Sequence, residues 1–192
     1  PTRLLHHGNS GRFSDGLQVQ GSQHRLRRQS SSSPVPALGE DHCLRWQVML
    51  GKAVDAADQR DALRLGSDLL MDPSLWLWRA PGSRELFISM ELPAGTNVSV
   101  PWPEMKQDQG KRQFRPQTTP ASWSSRFAIG RFEVEAVPVQ GTELRLAMLG
   151  ELSAPQKEKL RRWIGQGASS VGSVFGKFPR QAPQVLVVPI GA

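Results

Sequence analysis

Ser153-Ala154-Pro155-Gln156 opens a stretch that closes on Val185-Leu186-Val187-Val188, and this stretch decides the fold. The first four residues form a capping box, in which Ser caps the first turn and Gln three positions on bonds back to it. Apolar or small residues then recur at Leu160, Trp163, Ile164, Gly167, Ala168, Val171, Val174 and Phe175, the spacing of one helix. Gly176 is a helix stop and Pro179 prevents continuation. After Ala182-Pro183 the run Val185–Val188 is apolar at every position, as in a strand covered on both faces of a parallel sheet. Such a strand needs neighbours on both sides, so residues 153–192 read as the helix and strand that begin an incomplete α/β or α+β domain.

Upstream, the pattern changes to short strands. Leu44, Trp46, Val48 and Leu50 alternate with Arg45, Gln47 and Met49, and Leu86, Ile88, Met90 and Leu92 alternate with Glu85, Phe87, Ser89 and Glu91. Residues 53–65 predict a short helix or structured loop, and Leu75–Trp78 a brief apolar strand between two prolines. Pro93-Ala94-Gly95 turns the strand before it, with Thr96–Val100 as the return of a hairpin. Pro101-Trp102-Pro103 fixes an extended corner. Residues 104–122 read as an exposed polar loop, followed by strands over Phe127–Ile129, Phe132–Ala136 and Leu144–Met148. The whole predicts a mainly β chain, an antiparallel sandwich-like domain followed by one helix and one strand. The expected organisation is a flexible leader over 1–40 with an edge strand near Leu17-Gln18-Val19, a β-rich domain over 41–152, and the helix–strand unit over 153–192.

Charge narrows the partners. Of a formal net charge of +7, residues 1–33 carry +4, with five Arg and one acidic residue in a Ser/Gln/Gly-rich segment. The remainder is nearly balanced, whereas a nucleic-acid module carries its basic stripe on a folded face, so no nucleic-acid partner is expected. Cys43 stands alone, which excludes an internal disulfide and a multi-cysteine zinc site. No run reaches the roughly 18 apolar residues of a membrane span.

The chemical motifs are mostly absent. Zinc hydrolysis on a helix needs two His one turn apart with a Glu between them, and His6, His7, His24 and His42 offer no His-Glu-x-x-His. Gly167-Ala168-Ser169-Ser170-Val171-Gly172 is one residue too long for a nucleophile elbow and lies inside the helix pattern, where its small residues allow close packing on a sheet. Gly176-Lys177 lacks the glycine five residues earlier and the Ser or Thr after it that a phosphate loop requires. No catalytic, cofactor-binding or metal-ligating residue is assigned. The residues best placed to meet a ligand are Trp102 and Trp123, which border the polar loop, with Lys111, Arg112 and Arg115 on the loop itself.

The order of segments carries a resemblance. Ser74-Leu75-Trp76-Leu77-Trp78-Arg79, Glu91-Leu92-Pro93-Ala94-Gly95, Ser99-Val100-Pro101-Trp102-Pro103 and Phe127-Ala128-Ile129-Gly130-Arg131-Phe132 resemble the N-terminal β-domain of bacterial gluzincin-type zinc metallopeptidases, relatives of the glycyl aminopeptidase and aminopeptidase N families. Phe175-Gly176-Lys177-Phe178-Pro179 followed by Gln184–Pro189 is similar to the entry into their thermolysin-like catalytic domain. The resemblance implies a non-catalytic supporting segment of a metallopeptidase. Its partners would be a downstream catalytic domain of the same chain and a peptide or protein substrate of the parent. It further implies zinc in the parent but no cofactor in this segment, and a periplasmic, cell-envelope or secreted location. Two other readings stand beside it. One is a stand-alone β-rich module binding protein or glycan through Trp102, Trp123, Lys111, Arg112 and Arg115; the other is a peptidase-derived scaffold without metal ligands.

Overall fold

A computed structural model describes residues 2–5, 14–19, 32–35, 44–77, 87–105, 111–116, 125–179 and 182–189. They form a β-rich chain, mostly antiparallel, with one long helix and a final strand. The chain divides into two compact units: Pro1–Leu63 with Met71–Leu86, and Arg64–Leu70 with Phe87–Ala192.

In the first unit, β1 (Thr2–Leu5) pairs antiparallel with β3 (Ser32–Val35), and β2 (Ser14–Val19) pairs antiparallel with β4 (Leu44–Val48). Among the described residues the leader expected to be flexible holds three strands where one edge strand was expected. Pairing partners some thirty residues apart leave no trace in local periodicity, and a Ser/Pro-rich strand has no alternation to reveal it. A short helix, α1 (Leu50–Asp55), begins where the alternation of β4 was expected to continue, and it buries Ala53 and Val54. Leu75–Leu77 is no strand: Pro73–Leu75 is a single 3-10 turn, with Asp72 accepting from the Ser74 N–H at 2.8 Å. An Asx cap followed by Pro at the first turn position outweighs the apolar run after it.

Among the described residues the second unit holds three sheets. Arg64–Leu70 carries the facing ends of β5 (Ala62–Leu65) and β6 (Asp68–Met71), joined through Gly66 at φ 61°. These belong to a four-stranded sheet of order β5–β6–β10–β8, with β8 at Asn97–Ser99 and β10 at Phe127–Gly130. β7 (Ile88–Met90) pairs with β9 (Arg112–Phe114). The turn at Pro93–Thr96 forms, closed by the Thr96 N–H on the Pro93 carbonyl at 3.0 Å, but the expected hairpin does not. Its two arms enter different sheets, because β8 pairs with β10 and the segment read as a polar loop supplies β9 as the partner of β7. Phe114, fully buried, anchors that unexpected strand.

The third sheet positions the helix. β11 (Val134–Val139) and β12 (Thr142–Met148) form a hairpin through Gly141, and β12 pairs in parallel with β13 (Gln184–Val187). Between β12 and β13 runs α2 (Ala154–Phe175), beginning at the capping box and ending at Gly176 in the left-handed conformation. A parallel pair requires such a crossover. Val137, Leu144, Leu146, Met148 and Ala168 form the core between helix and sheet, joined by Leu160, Ile164, Val185 and Val187. The small residues serve close approach, since a Cβ at Gly172 would lie 3.1 Å from the Gln140 Cβ. Residues 142–148 and 184–187, assigned by the sequence to either side of a boundary at 152/153, share this one sheet.

Candidate functional site

Four groupings among the described residues of the second unit combine polar or exposed side chains. The first is the segment around β9. Arg112 faces Glu104 with both nitrogens of its fork, Nε to Oε1 at 2.7 Å and Nη2 to Oε2 at 2.6 Å. Its Nη1 donates to the Val98 carbonyl at 3.0 Å, and its guanidinium lies 5.2 Å from the Phe114 ring centroid. All three guanidinium nitrogens thus bond within the protein, which ties β9 to β8. Lys111 is exposed and 3.6 Å from Glu91, and Arg115 lies over the exposed ring of Phe87 at 5.7 Å.

Of the five residues expected to meet a ligand, the structure brings Lys111, Arg112 and Arg115 together on or beside β9. Trp102, read from the sequence as bordering the polar loop, is only 3% exposed and belongs to the core. Trp123, Cys43 and the four histidines lie outside the described residues or side chains.

The second grouping continues from the first. Burial pulls the Arg145 guanidinium below its usual range, Glu104 works against that shift and the Arg112 charge adds to it. Arg145 Nε donates to the Ala182 carbonyl at 2.8 Å, and Gln184 Nε2 donates to Ser99 Oγ at 3.1 Å and to the Arg126 carbonyl at 3.2 Å. These bonds hold the entry to β13 against β12, β8 and the start of β10. They satisfy half-buried polar groups and leave no nucleophile–base pair.

Asp68 is the centre of the third. It is buried, accepts the Arg131 N–H on Oδ1 at 2.8 Å and the Gly150 N–H on Oδ2 at 2.9 Å, and so pins the exits of β10 and β12 to β6. Nothing in the local pattern around Gly66-Ser67-Asp68 distinguishes this carboxylate from a turn residue. Among the described residues no group of three or more His, Cys, Asp or Glu is placed to hold a metal ion, and no helix is long and apolar enough to cross a membrane.

The outer side of α2 is the remaining candidate, and its exposure was not legible in the period. Trp163 is 71% exposed, Val174 78% and Phe175 67%, although the helical spacing groups them with the core residues. Trp163 also borders a shallow groove lined by Leu152, Gln156, Lys159 and Leu160.

No family model matches this sequence, and no curated protein matches it either. Solved structures do. The chain is similar in fold to the aminopeptidase N family protein from Idiomarina loihiensis, with TM-score 0.69 and 17% identity over 99% of this chain and 35% of that one. The M1 zinc metallopeptidase from Deinococcus radiodurans aligns with TM-score 0.46 and 13% identity over 99% of this chain and 49% of that one. The chain therefore spans about a third of the length of the first of these, and identity at this level is a likeness of fold.

Proposed function

We propose that this chain is a non-catalytic N-terminal segment of a zinc metallopeptidase, supporting a downstream domain that hydrolyses peptides. The observation that carries the reading is the order of its parts: a β-rich unit passes through the β12–α2–β13 crossover, in a fold similar to an aminopeptidase N family protein nearly three times as long. The internal use of Arg112 and the burial of Trp102 favour a supporting role over a glycan or peptide platform. In the parent, zinc would polarise a peptide carbonyl and activate water. Among the described residues no three ligand-type side chains are placed together to hold it, and none is given a step in that chemistry.

What this segment contributes is position. That reading is supported by the Arg145 and Gln184 bonds, which hold the entry to β13. The test is to read the coding sequence beyond Ala192 and to purify the polypeptide it encodes. A His-Glu-x-x-His helix, one zinc per chain and peptide cleavage abolished by a chelator are the expected results. A stop codon at Ala192 would sink the proposal.

A further inference from the structure

We propose that the outward face of β7, β9 and residues 103–105 docks an acidic peptide in extended conformation. The strand register builds this face. Ile88, Ser89 and Met90 lie opposite Phe114, Gln113 and Arg112, and on the far side of β9 Glu104 lies opposite Phe114. The Met105 N–H donates to the Gln113 carbonyl at 2.7 Å and the Arg115 N–H to the Pro103 carbonyl at 3.1 Å, so the three segments form one ribbon. Side chains alternate across a strand. Phe114 and Arg112 take the inner face, the first fully buried and the second bonded to Glu104 and the Val98 carbonyl. Lys111, Gln113 and Arg115 therefore share the outer face with Phe87, Glu91 and Met105.

Two observations mark this face. Among the described residues, Phe87 and Met105 are the only large apolar side chains outside α2 that stand exposed, at 58% and 46%, and both lie here. A ribbon buried on one face ordinarily carries polar residues on the other, so a ring and a thioether together on the solvent side mark a contact surface. The second observation is charge. Lys111 and Arg115 are exposed and four residues apart on one strand, about 13 Å at the rise of a strand. Glu91 meets Lys111 only at 3.6 Å and at the surface, a pairing that a ligand carboxylate can replace at little cost. An extended peptide with carboxylates four residues apart has the same spacing. The residue midway between them faces the same way, with Met105 as its apolar contact. Other anionic polymers fit less well. The Arg115 guanidinium lies over the Phe87 ring at 5.7 Å, where a sugar would have to stack. Two cations beside a carboxylate are too few to follow a phosphate backbone. The bonds of Arg112 concern the inner face of the same ribbon, so this docking is compatible with the supporting role and does not rest on it.

The experiment titrates purified 1–192 against a fluorescein-labelled peptide, Ser-Glu-Thr-Val-Thr-Glu-Ser, and its Gln-for-Glu counterpart, by fluorescence anisotropy. The acidic peptide should bind at least about fivefold more tightly than the neutral one, and added salt should narrow the difference. Lys111→Glu and Arg115→Glu should each weaken the acidic peptide at least about fivefold, and the double reversal should prefer a Lys-for-Glu peptide. Phe87→Ser should weaken it roughly threefold without changing the salt dependence. Should a reversed variant melt far below the unchanged chain, the comparison of the two peptides on the unchanged chain decides alone. Equal binding of both peptides, binding of neither, or an affinity untouched by charge reversal overturns the proposal. Preferential binding of polygalacturonate overturns it too, by making the face a site for acidic glycans.

Discussion

Gly130 passes so close beneath Asp68 that a Cβ at the glycine would lie 2.1 Å from Oδ1 and 2.7 Å from the Asp68 Cα. The carboxylate that bonds to the backbone at Arg131 and Gly150 therefore fits only because residue 130 has no side chain. The Asp68 Cα lies inside the clash together with the carboxylate, so a rotamer change of the side chain alone cannot relieve it. Gly130→Ala is expected to lower stability by about 1–3 kcal/mol in urea unfolding. Asp68→Ala removes the acceptor of two backbone N–H groups and is expected to cost at least as much, about 1–3 kcal/mol for each group left unpaired. In the double variant the losses should be less than additive, since the alanine at 130 no longer meets a carboxylate oxygen.

Glu135 and Arg161 join β11 to α2 through two bonds, Nε to Oε2 at 2.6 Å and Nη2 to Oε1 at 2.8 Å. The Arg161 hydrogen bond holds the Glu135 carboxyl below its ordinary value of 4.5, with burial opposing and the charges of Arg161 and Lys157 reinforcing. Arg161 is itself raised by the same partner first and by Glu158 after it, so it stays charged throughout. A carboxylate with a lowered folded pKa adds stability above its unfolded pKa and loses it as pH falls through the folded one. Glu135→Gln should therefore melt below the unchanged protein at pH 7, and the gap should close as pH falls below about 4.5. Salt should narrow the gap at pH 7, because both side chains are partly exposed. A difference that is constant with pH would contradict this assignment.

The two ends of α2 predict a different pair of effects. Ser153 N–H and Oγ both donate to Gln156 Oε1, at 2.9 and 2.8 Å, and Gly176 holds φ 73°. Ser153→Ala is expected to cost about 1 kcal/mol through the lost cap. Gly176→Ala is expected to cost a similar amount, about 1 kcal/mol, by forcing a Cβ into the left-handed region. Thermal unfolding followed by helical circular dichroism checks both.

These helix ends were legible because their signals are local: a cap, a period and a stop within 23 residues of one another. The β12 strand was legible for the same reason, through alternation at Leu144–Met148, and β11 in part, since the alternation read at Phe132–Ala136 overlaps Val134–Val139. Strand partnership was not. Thr96–Val100 looks like the return of a hairpin, yet β8 pairs with Phe127–Gly130, and only the burial of Phe114 explains why a polar loop supplies a strand. Trp163 falls in the helical period with core residues yet is exposed, because periodicity says which residues share a face and not whether that face is covered. Asp68 gave no signal at all, since its partners lie 63 and 82 residues away.

Within the β9 cluster the three cations should separate sharply. Arg112→Ala removes a bidentate partner from Glu104 and a donor from the Val98 carbonyl, and should lower the melting temperature. Arg112→Lys should recover only part of the loss, because an ammonium cannot reproduce the fork. Lys111→Ala should change stability by less than about 0.5 kcal/mol, as its pairing with Glu91 is exposed.

The chemistry predicts its own negative result. Hydrolysis by zinc requires ligands held together and a base beside the metal-bound water. The sequence has no His-Glu-x-x-His, and its described residues bring no three ligand-type side chains together. Purified 1–192 is therefore expected to retain zinc only at background after dialysis and to release no product from peptide substrates. Elemental analysis and a fluorogenic peptide assay check the two halves separately. One zinc per chain would point to the histidines of the leader, and His6→Ala with His7→Ala would then have to abolish it. Peptide cleavage that survives a chelator would instead place a metal-independent activity in this chain and remove the argument for a purely supporting role.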